Sequence, residues 1–242
     1  MAAPDTETHA SAGTTTGDLP TGEAKVAAVR SMFDAIAPRY DLVNRLMTFR
    51  MDVGWRNRAI RSLRLRPGSV VLDLACGTGD LCRGLQDAGL SPVGMDLSFG
   101  MLAAARTTAP LVEADALQLP VPDGAIDGVT CGFALRNFRE LAPFFDELGR
   151  VVRSGGRIAL LDVAEPENPV LRWGHGIYFG KVVPKIGGLL SDASAYAYLP
   201  KSVAYLPDPE LMLDQLAAAG FSDVRRTLLS TGISQLITAT RI

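Results

Sequence analysis

The stretch from Ser69 to Asp80, Ser-Val-Val-Leu-Asp-Leu-Ala-Cys-Gly-Thr-Gly-Asp, constrains the chain more than any other. Pro67-Gly68 breaks the helical pattern before it, and Val70, Val71, Leu72 and Leu74 then form a short apolar run. Such a run between turn signals predicts a strand buried on both faces, the first strand of a parallel sheet. Gly77-Thr78-Gly79 follows at once, and the apolar spacing Leu81, Leu85, Ala88 predicts a helix up to Gly89. Strand, tight glycine turn and helix start make a cradle for a nucleotide-like ligand. Glycine lets the backbone approach closely, and the free N–H groups of the helix start face an anion.

Three ligand classes share that geometry. A P-loop needs Gly-Lys-Ser/Thr at the turn, whereas Asp80 follows Gly79 and no Lys occurs between Val70 and Gly100. A dinucleotide fingerprint needs a third glycine where Cys82 stands, and Asp80 would sit badly beside a pyrophosphate. S-adenosylmethionine carries no phosphate and needs only its methionine carboxylate held at the helix start. Asp73-Leu-Ala75-Cys-Gly77-Thr78-Gly79 resembles motif I of class I methyltransferases, with Ala75 at the usual first glycine. Pro92 to Asp96 predicts a second strand ending in a carboxylate that can accept from both ribose hydroxyls, a role that NAD would also satisfy. Asp115, followed by Ala116, comes at the next strand end and matches the methyltransferase position against the adenine amino group. The expected cofactor set is therefore Asp73, Ala75, Gly77, Thr78, Gly79, Asp96, Asp115 and Ala116.

The rest of the chain supplies the setting. Its 242 residues suffice for one α/β domain with decoration, and 48% apolar residues support a substantial core. A net charge of −2 gives no electrostatic reason to expect a nucleic-acid partner. Cys76, Cys82 and Cys131 are odd in number and fall in apolar elements, which argues against a disulfide framework or metal site and for a reducing compartment. With no secretory pattern and no apolar run of about 18 residues, the expected location is cytoplasmic. Residues 1–22 read as a disordered tail, and 23–242 as one domain. A helix is expected from Glu23, with Val26, Val29, Met32, Phe33 and Ile36 on one face and Pro38 as its stop. With a second helix around Val53 to Leu65, residues 23–66 form a helical cover outside the sheet order.

Ile126 to Phe133 predicts the fourth strand, and Ala134-Leu-Arg136-Asn137-Phe138 the loop at its carboxyl end, where open α/β sheets bind ligands. A helix through Leu141, Phe144, Phe145, Leu148 and Val151 should end at Ser154-Gly155-Gly156, with a fifth strand over Arg157 to Val163. A helix at Pro209–Ala219 leads to two closing strands, Phe221–Leu229 and Ile233–Thr240. The fold class is α/β: a Rossmann-like, seven-stranded, mostly parallel sheet with an antiparallel last strand and helices on both faces. Residues 165–205, rich in glycine and aromatics, read either as a helical insert on the sheet edge, as in a dimer, or as a lid over an apolar acceptor.

Beyond motif I, the chain resembles the UbiE/MenG family of quinone C-methyltransferases. Phe33-Asp34-x5-Tyr40-Asp41-x2-Asn44 resembles the family's first signature, Phe133-Ala-Leu-Arg136-Asn137 its Phe-Gly-x-Arg-Asn loop, and Arg150 to Arg157 its Arg-Val-x-x-Pro-Gly-Gly segment. Tyr196-x-Tyr198-Leu199-x2-Ser202 and Ala219-Gly220-Phe221 match further stretches. Ala134 stands for Gly and Ser154 for Pro in these matches, and Arg45 and Arg50 stand where Asp and Gly are usual. Most departures fall on the acceptor side, where Asp52-Val53-Gly54-Trp55 replaces His-Arg-x-Trp and Thr231-Gly232-Ile233 replaces Thr-Gly-Gly.

The resemblance implies a class I methyltransferase fold and methyl transfer from S-adenosylmethionine to a ring carbon of an apolar hydroquinol, demethylmenaquinol in menaquinone biosynthesis. It implies Arg136 and Asn137 near the reacting groups and Tyr40, Asn44, His175 and Tyr196 around the acceptor. A salt bridge to a neighbouring carboxylate is the competing role for Arg136, and the general base stays unassigned. Expected partners are a small apolar acceptor, no nucleic acid, a transient membrane-surface contact to reach a lipid substrate, and a second copy of the chain in a homodimer. The altered signatures also admit a tailoring methyltransferase of a secondary metabolite, or a silent protein that binds the cofactor or a quinone.

Overall fold

The computed structural model describes residues 21–178, 180, 183 and 202–242. Most of the expected tail, and Tyr196 and Tyr198 of the expected lid, lie outside the described residues. Seven strands form one sheet in the order β3-β2-β1-β4-β5-β7-β6: β1 (Val70–Leu74), β2 (Ser91–Asp96), β3 (Leu111–Glu113), β4 (Ile126–Gly132), β5 (Val152–Val163), β6 (Phe221–Leu229) and β7 (Ser234–Arg241). The first five run parallel, and β7 lies antiparallel between β5 and β6. The chain winds outward in both directions from β1, so a crevice opens at the carboxyl ends of β1 and β4.

Each face of the sheet carries its own core. Phe144, Phe145 and Leu148 of α6 (Leu141–Val151) pack on one face with Met212 and Leu216 of α8 (Pro209–Ala218). Trp55, Ala59 and Leu63 of α3 (Met51–Leu63) join Leu81 and Leu85 of α4 (Asp80–Asp87) on the other. Cys76, Cys82 and Cys131 are buried free thiols.

Several boundaries differ from expectation for identifiable reasons. The fifth strand begins at Val152, directly after the helix, because Val152 pairs with Ile126 ahead of a register shift. Gly155 (φ +75°) and Gly156 turn inside that strand, and a Cβ on Gly156 would lie 2.9 Å from the Asp127 carbonyl. The second cover helix runs over Met51–Leu63, since Arg64 stops it in a left-handed conformation (φ 51°). A short helix, α2 (Tyr40–Met47), precedes it, and Phe49 and Arg50, both left-handed, reverse the chain between the two. Asp115 sits two residues past β3 rather than at its end. There its Oδ1 accepts from the Leu117 N–H at 2.9 Å and holds a turn. No described helix is long and apolar enough to cross a membrane.

Candidate active site

The glycine turn shapes one wall of a cleft of about 140 Å³. Ala75 takes φ 50°, a conformation glycine adopts without strain, which explains why glycine is usual at this place. Gly77 (φ 55°) donates its N–H to Asp96 Oδ2 at 2.8 Å, and Asp96 Oδ1 accepts from the Ser98 N–H at 2.8 Å. Burial raises the Asp96 carboxyl above its ordinary range, while these two N–H groups oppose the rise. Asp115 and Ala116 face Ala75, Gly77 and Asp96 across the cleft, and Asn137 completes the group. Val26, Val29 and Phe33 of α1 (Gly22–Ile36) form the lid of this cleft. Asp34 fastens α1 by accepting from Ser98 Oγ at 2.5 Å and from the Gly100 N–H at 2.9 Å.

Three of the expected cofactor residues stand elsewhere. Asp73 is fully buried beneath the turn, where it accepts from Thr130 Oγ1 at 2.8 Å and from the Cys82 thiol at 3.3 Å. It lines a recess of about 30 Å³ beside the cleft, not the cleft itself. Burial pushes its carboxyl up to about 7. Thr78 lines the same recess and donates to Asp41 Oδ1 of α2. Gly79 lines neither space. It caps α4 at φ 82°, and a Cβ there would lie 2.6 Å from Thr107 Cγ2, so its glycine is required by packing.

The donor and acceptor set fits an adenosyl ligand without phosphate. Arg30 and Arg139, the cations beside the cleft, are ion-paired with Glu113 (2.6 Å) and Glu23, which leaves little for a pyrophosphate. Carboxylates only accept hydrogen bonds, and a ribose and an adenine amino group present donors to them. Asn137 Oδ1, buried and without a hydrogen-bond partner among the described residues, is a further acceptor.

A second cavity, of about 370 Å³, meets the first at Tyr40 and Phe133. Its wall is mostly apolar, with Met47, Met51, Trp55, Val163 and Ile233 from elements far apart in sequence. Arg136 reaches this wall from the 3₁₀ turn Leu135–Asn137. It is buried, pairs through Nη1 with the fully buried Asp162, and donates from Nη1 to the Phe133 carbonyl at 2.8 Å and from Nε to Ser202 Oγ at 3.1 Å. The competing salt bridge of Arg136 is thus present, and the same residue also lines the second cavity. Asn137, next in sequence, faces the other space.

Tyr40 lines all three spaces. Burial raises its phenol, opposed by a hydrogen bond from Asn44 and by the Arg136 and Arg56 guanidiniums. Asn44 and the half-buried His175 stand in the second wall, and burial lowers the His175 imidazole. No site role is expected from the sequence for Asp162, Ser202, Asp34 or the Asp52–Arg56 pair. For Asp162 the available signal is an acid inside the apolar run Ala159-Leu-Leu-Asp162-Val.

The model of the ubiE/COQ5 methyltransferase family matches residues 21–241. A demethylmenaquinone methyltransferase of Thermus thermophilus is 44% identical over 85% of this chain and 97% of its own length. A ubiquinone/menaquinone biosynthesis C-methyltransferase of a Geobacter species is 36% identical over 88% and 96%. Among solved structures, a methyltransferase of Thermotoga maritima dependent on S-adenosylmethionine aligns with TM-score 0.61 at 16% identity, covering 88% of this chain and 99% of its own, a likeness of fold.

Proposed function

The chain belongs to the ubiE/COQ5 methyltransferase family, and from that premise we propose that it methylates a ring carbon of an apolar hydroquinol, demethylmenaquinol in menaquinone biosynthesis. One observation carries this reading: an acid-lined cleft and a larger apolar cavity meet at Tyr40 and Phe133. When bound, S-adenosylmethionine supplies an electrophilic methyl group.

The chain's own residues then have distinct tasks. Asp96 holds the ribose hydroxyls, Asp115 and Ala116 the adenine edge, and Ala75, Gly77 and the Thr78 turn the remaining backbone contacts. Holding two reactants in line can contribute about 7–11 kcal/mol in favourable cases, so alignment is the main work of such a site. Arg136 stays charged and is no base. Its guanidinium stabilises a phenolate oxygen, since charge-assisted hydrogen bonds are roughly twice as strong as neutral ones. Tyr40 and Asn44 position the ring, and the apolar wall excludes water.

The mouth of the second cavity supports a contact with a lipid surface. Phe49 (71% exposed), Val170 (75%) and Leu171 line the cavity and are themselves exposed, and Trp173 (72%), Leu42 and Leu46 are further exposed apolar side chains on the two helices that carry other lining residues. Exposed Arg50 and Arg172 lie next in sequence to this rim, suited to anionic headgroups. The test of the activity is direct. Incubation with demethylmenaquinol and S-adenosylmethionine labelled in its methyl group should place label in the quinone fraction, and an unlabelled quinone fraction rules the acceptor out.

A further inference from the structure

We infer that Asp52 reads the oxidation state of the acceptor, admitting the dihydroxy form and rejecting the dione. The inference rests on the hydroquinol reading above and adds the residue that enforces it. Asp52 is 1% exposed in the wall of the acceptor cavity, among Met47, Met51, Trp55 and Phe133. Its Oδ1 accepts from Thr48 Oγ1 at 2.7 Å, and its Oδ2 is paired with Arg56. Phe49 and Arg50, the left-handed residues just before α3, bend the chain so that the helix starts at the cavity. Backbone strain of this kind persists where surrounding structure holds it and gathers at functional sites.

Stability does not explain the pair. Replacing a buried ion pair by well-packed apolar side chains is often neutral or stabilising, so a carboxylate in an apolar wall points to recognition. The recognition has a sign. An ionised carboxylate offers acceptors only, so it welcomes a hydroxyl and repels a carbonyl oxygen. Arg56 does not reverse that sign, because its guanidinium is held between Asp52 and Asp80 (3.4 Å) and packs over the Phe133 ring, 5.4 Å from its centroid. Arg136, also in the lining of this cavity, is indifferent: a guanidinium donates equally to a carbonyl, a hydroxyl or a phenolate oxygen. Tyr40 lines the same cavity as Asp52 and Arg136. Of Asp52 and Arg136, only Asp52 distinguishes oxidation states.

Anaerobic calorimetry on the full chain with saturating S-adenosylhomocysteine tests this, using a short-chain 1,4-naphthoquinone and its reduced 1,4-diol as paired probes. The wild-type protein should bind the diol at least about 100-fold tighter, since sites built for a hydroxyl strongly reject analogues lacking it. Asp52→Asn, whose amide can donate as well as accept, should bring the two affinities within about threefold. Thr48→Val keeps the carboxylate and should keep the preference. Equal binding of both probes to the wild type overturns the inference with no variant needed. So does a preference that survives Asp52→Asn or collapses in Thr48→Val alone. Binding of neither probe instead removes the hydroquinol reading itself.

Discussion

The two halves of the site are built by different means. The cofactor half comes from backbone: consecutive strand ends, a glycine turn and the N–H groups that hold Asp96. The acceptor half comes from side chains that only the tertiary fold assembles. Arg136 meets Asp162 across 26 residues, and Trp55 donates to Ser230 Oγ at 2.8 Å across 175. A backbone-built site is fixed by its local sequence and tolerates little change of shape. A side-chain-built site can be re-lined without disturbing the sheet, and most of the chain's departures from the family signatures fall there.

The sharpest way to break this contrast is Arg136→Ala. It leaves Asp162 buried and unpaired, and losing one partner of a buried ion pair costs about 3–5 kcal/mol. Denaturant unfolding should show that loss, while the folded fraction keeps its affinity for S-adenosylhomocysteine within about threefold and loses turnover. Equal losses of cofactor affinity and turnover would mean that the halves are not separable. Next comes Asp73→Asn. Because burial raises the folded carboxyl from 3.8 to about 7, the folded state holds the extra proton between those values. Stability is therefore complete below about pH 4 and falls as pH rises through 7, by up to about 4 kcal/mol for this group. Relative to wild type, the variant should lose less stability between pH 5 and pH 7.5 in thermal unfolding. Its cofactor affinity should change less than that of Asp96→Ala, since Asp73 lies outside the cleft. Asp96→Ala itself removes the ribose acceptor and strands two N–H groups, so S-adenosylhomocysteine should bind about 10–100-fold more weakly by calorimetry. Unchanged affinity would mean the ligand has been put in the wrong cleft.

The same contrast explains what could be read from the chain. Strand, turn and helix from Val70 to Asp87 are neighbours in sequence, so the period of the apolar residues and the glycines predicted them closely. Asp96 and Asp115, read from that frame, both line the cleft. Asp73 lines the recess instead, and a pattern shows that an acid ends an apolar run without showing whether it faces the cleft or the packing beneath. Residues 152–156 were mistaken for a turn because glycine pairs normally punctuate, whereas here they shape a strand against Asp127. On the acceptor side, Asp52 was visible only as a departure from a signature. Its meaning depends on Thr48, Arg56 and a cavity wall drawn from α3, β5 and the segments around Tyr40 and Ile233, and no local pattern encodes that wall.

The smallest expected effect concerns the rim, where the acceptor half meets its surroundings. Trp173 of α7 (Pro169–Ile177) is exposed and lines neither cavity, while Val170, Leu171 and His175 of the same helix line the second, so its side chain adds exposed apolar area to that helix without shaping the site. Burying a large apolar side chain contributes about 1.5–3 kcal/mol when complete, and an interfacial contact buries only part of it. Trp173→Ser should accordingly lower partition onto vesicles carrying anionic lipid by about three- to tenfold, on the order of 1 kcal/mol. S-adenosylhomocysteine affinity should not move, because the cofactor half contributes nothing to the rim. Unchanged partition would assign the exposed apolar residues around the cavity mouth to some contact other than a bilayer, while leaving both halves of the site as they stand.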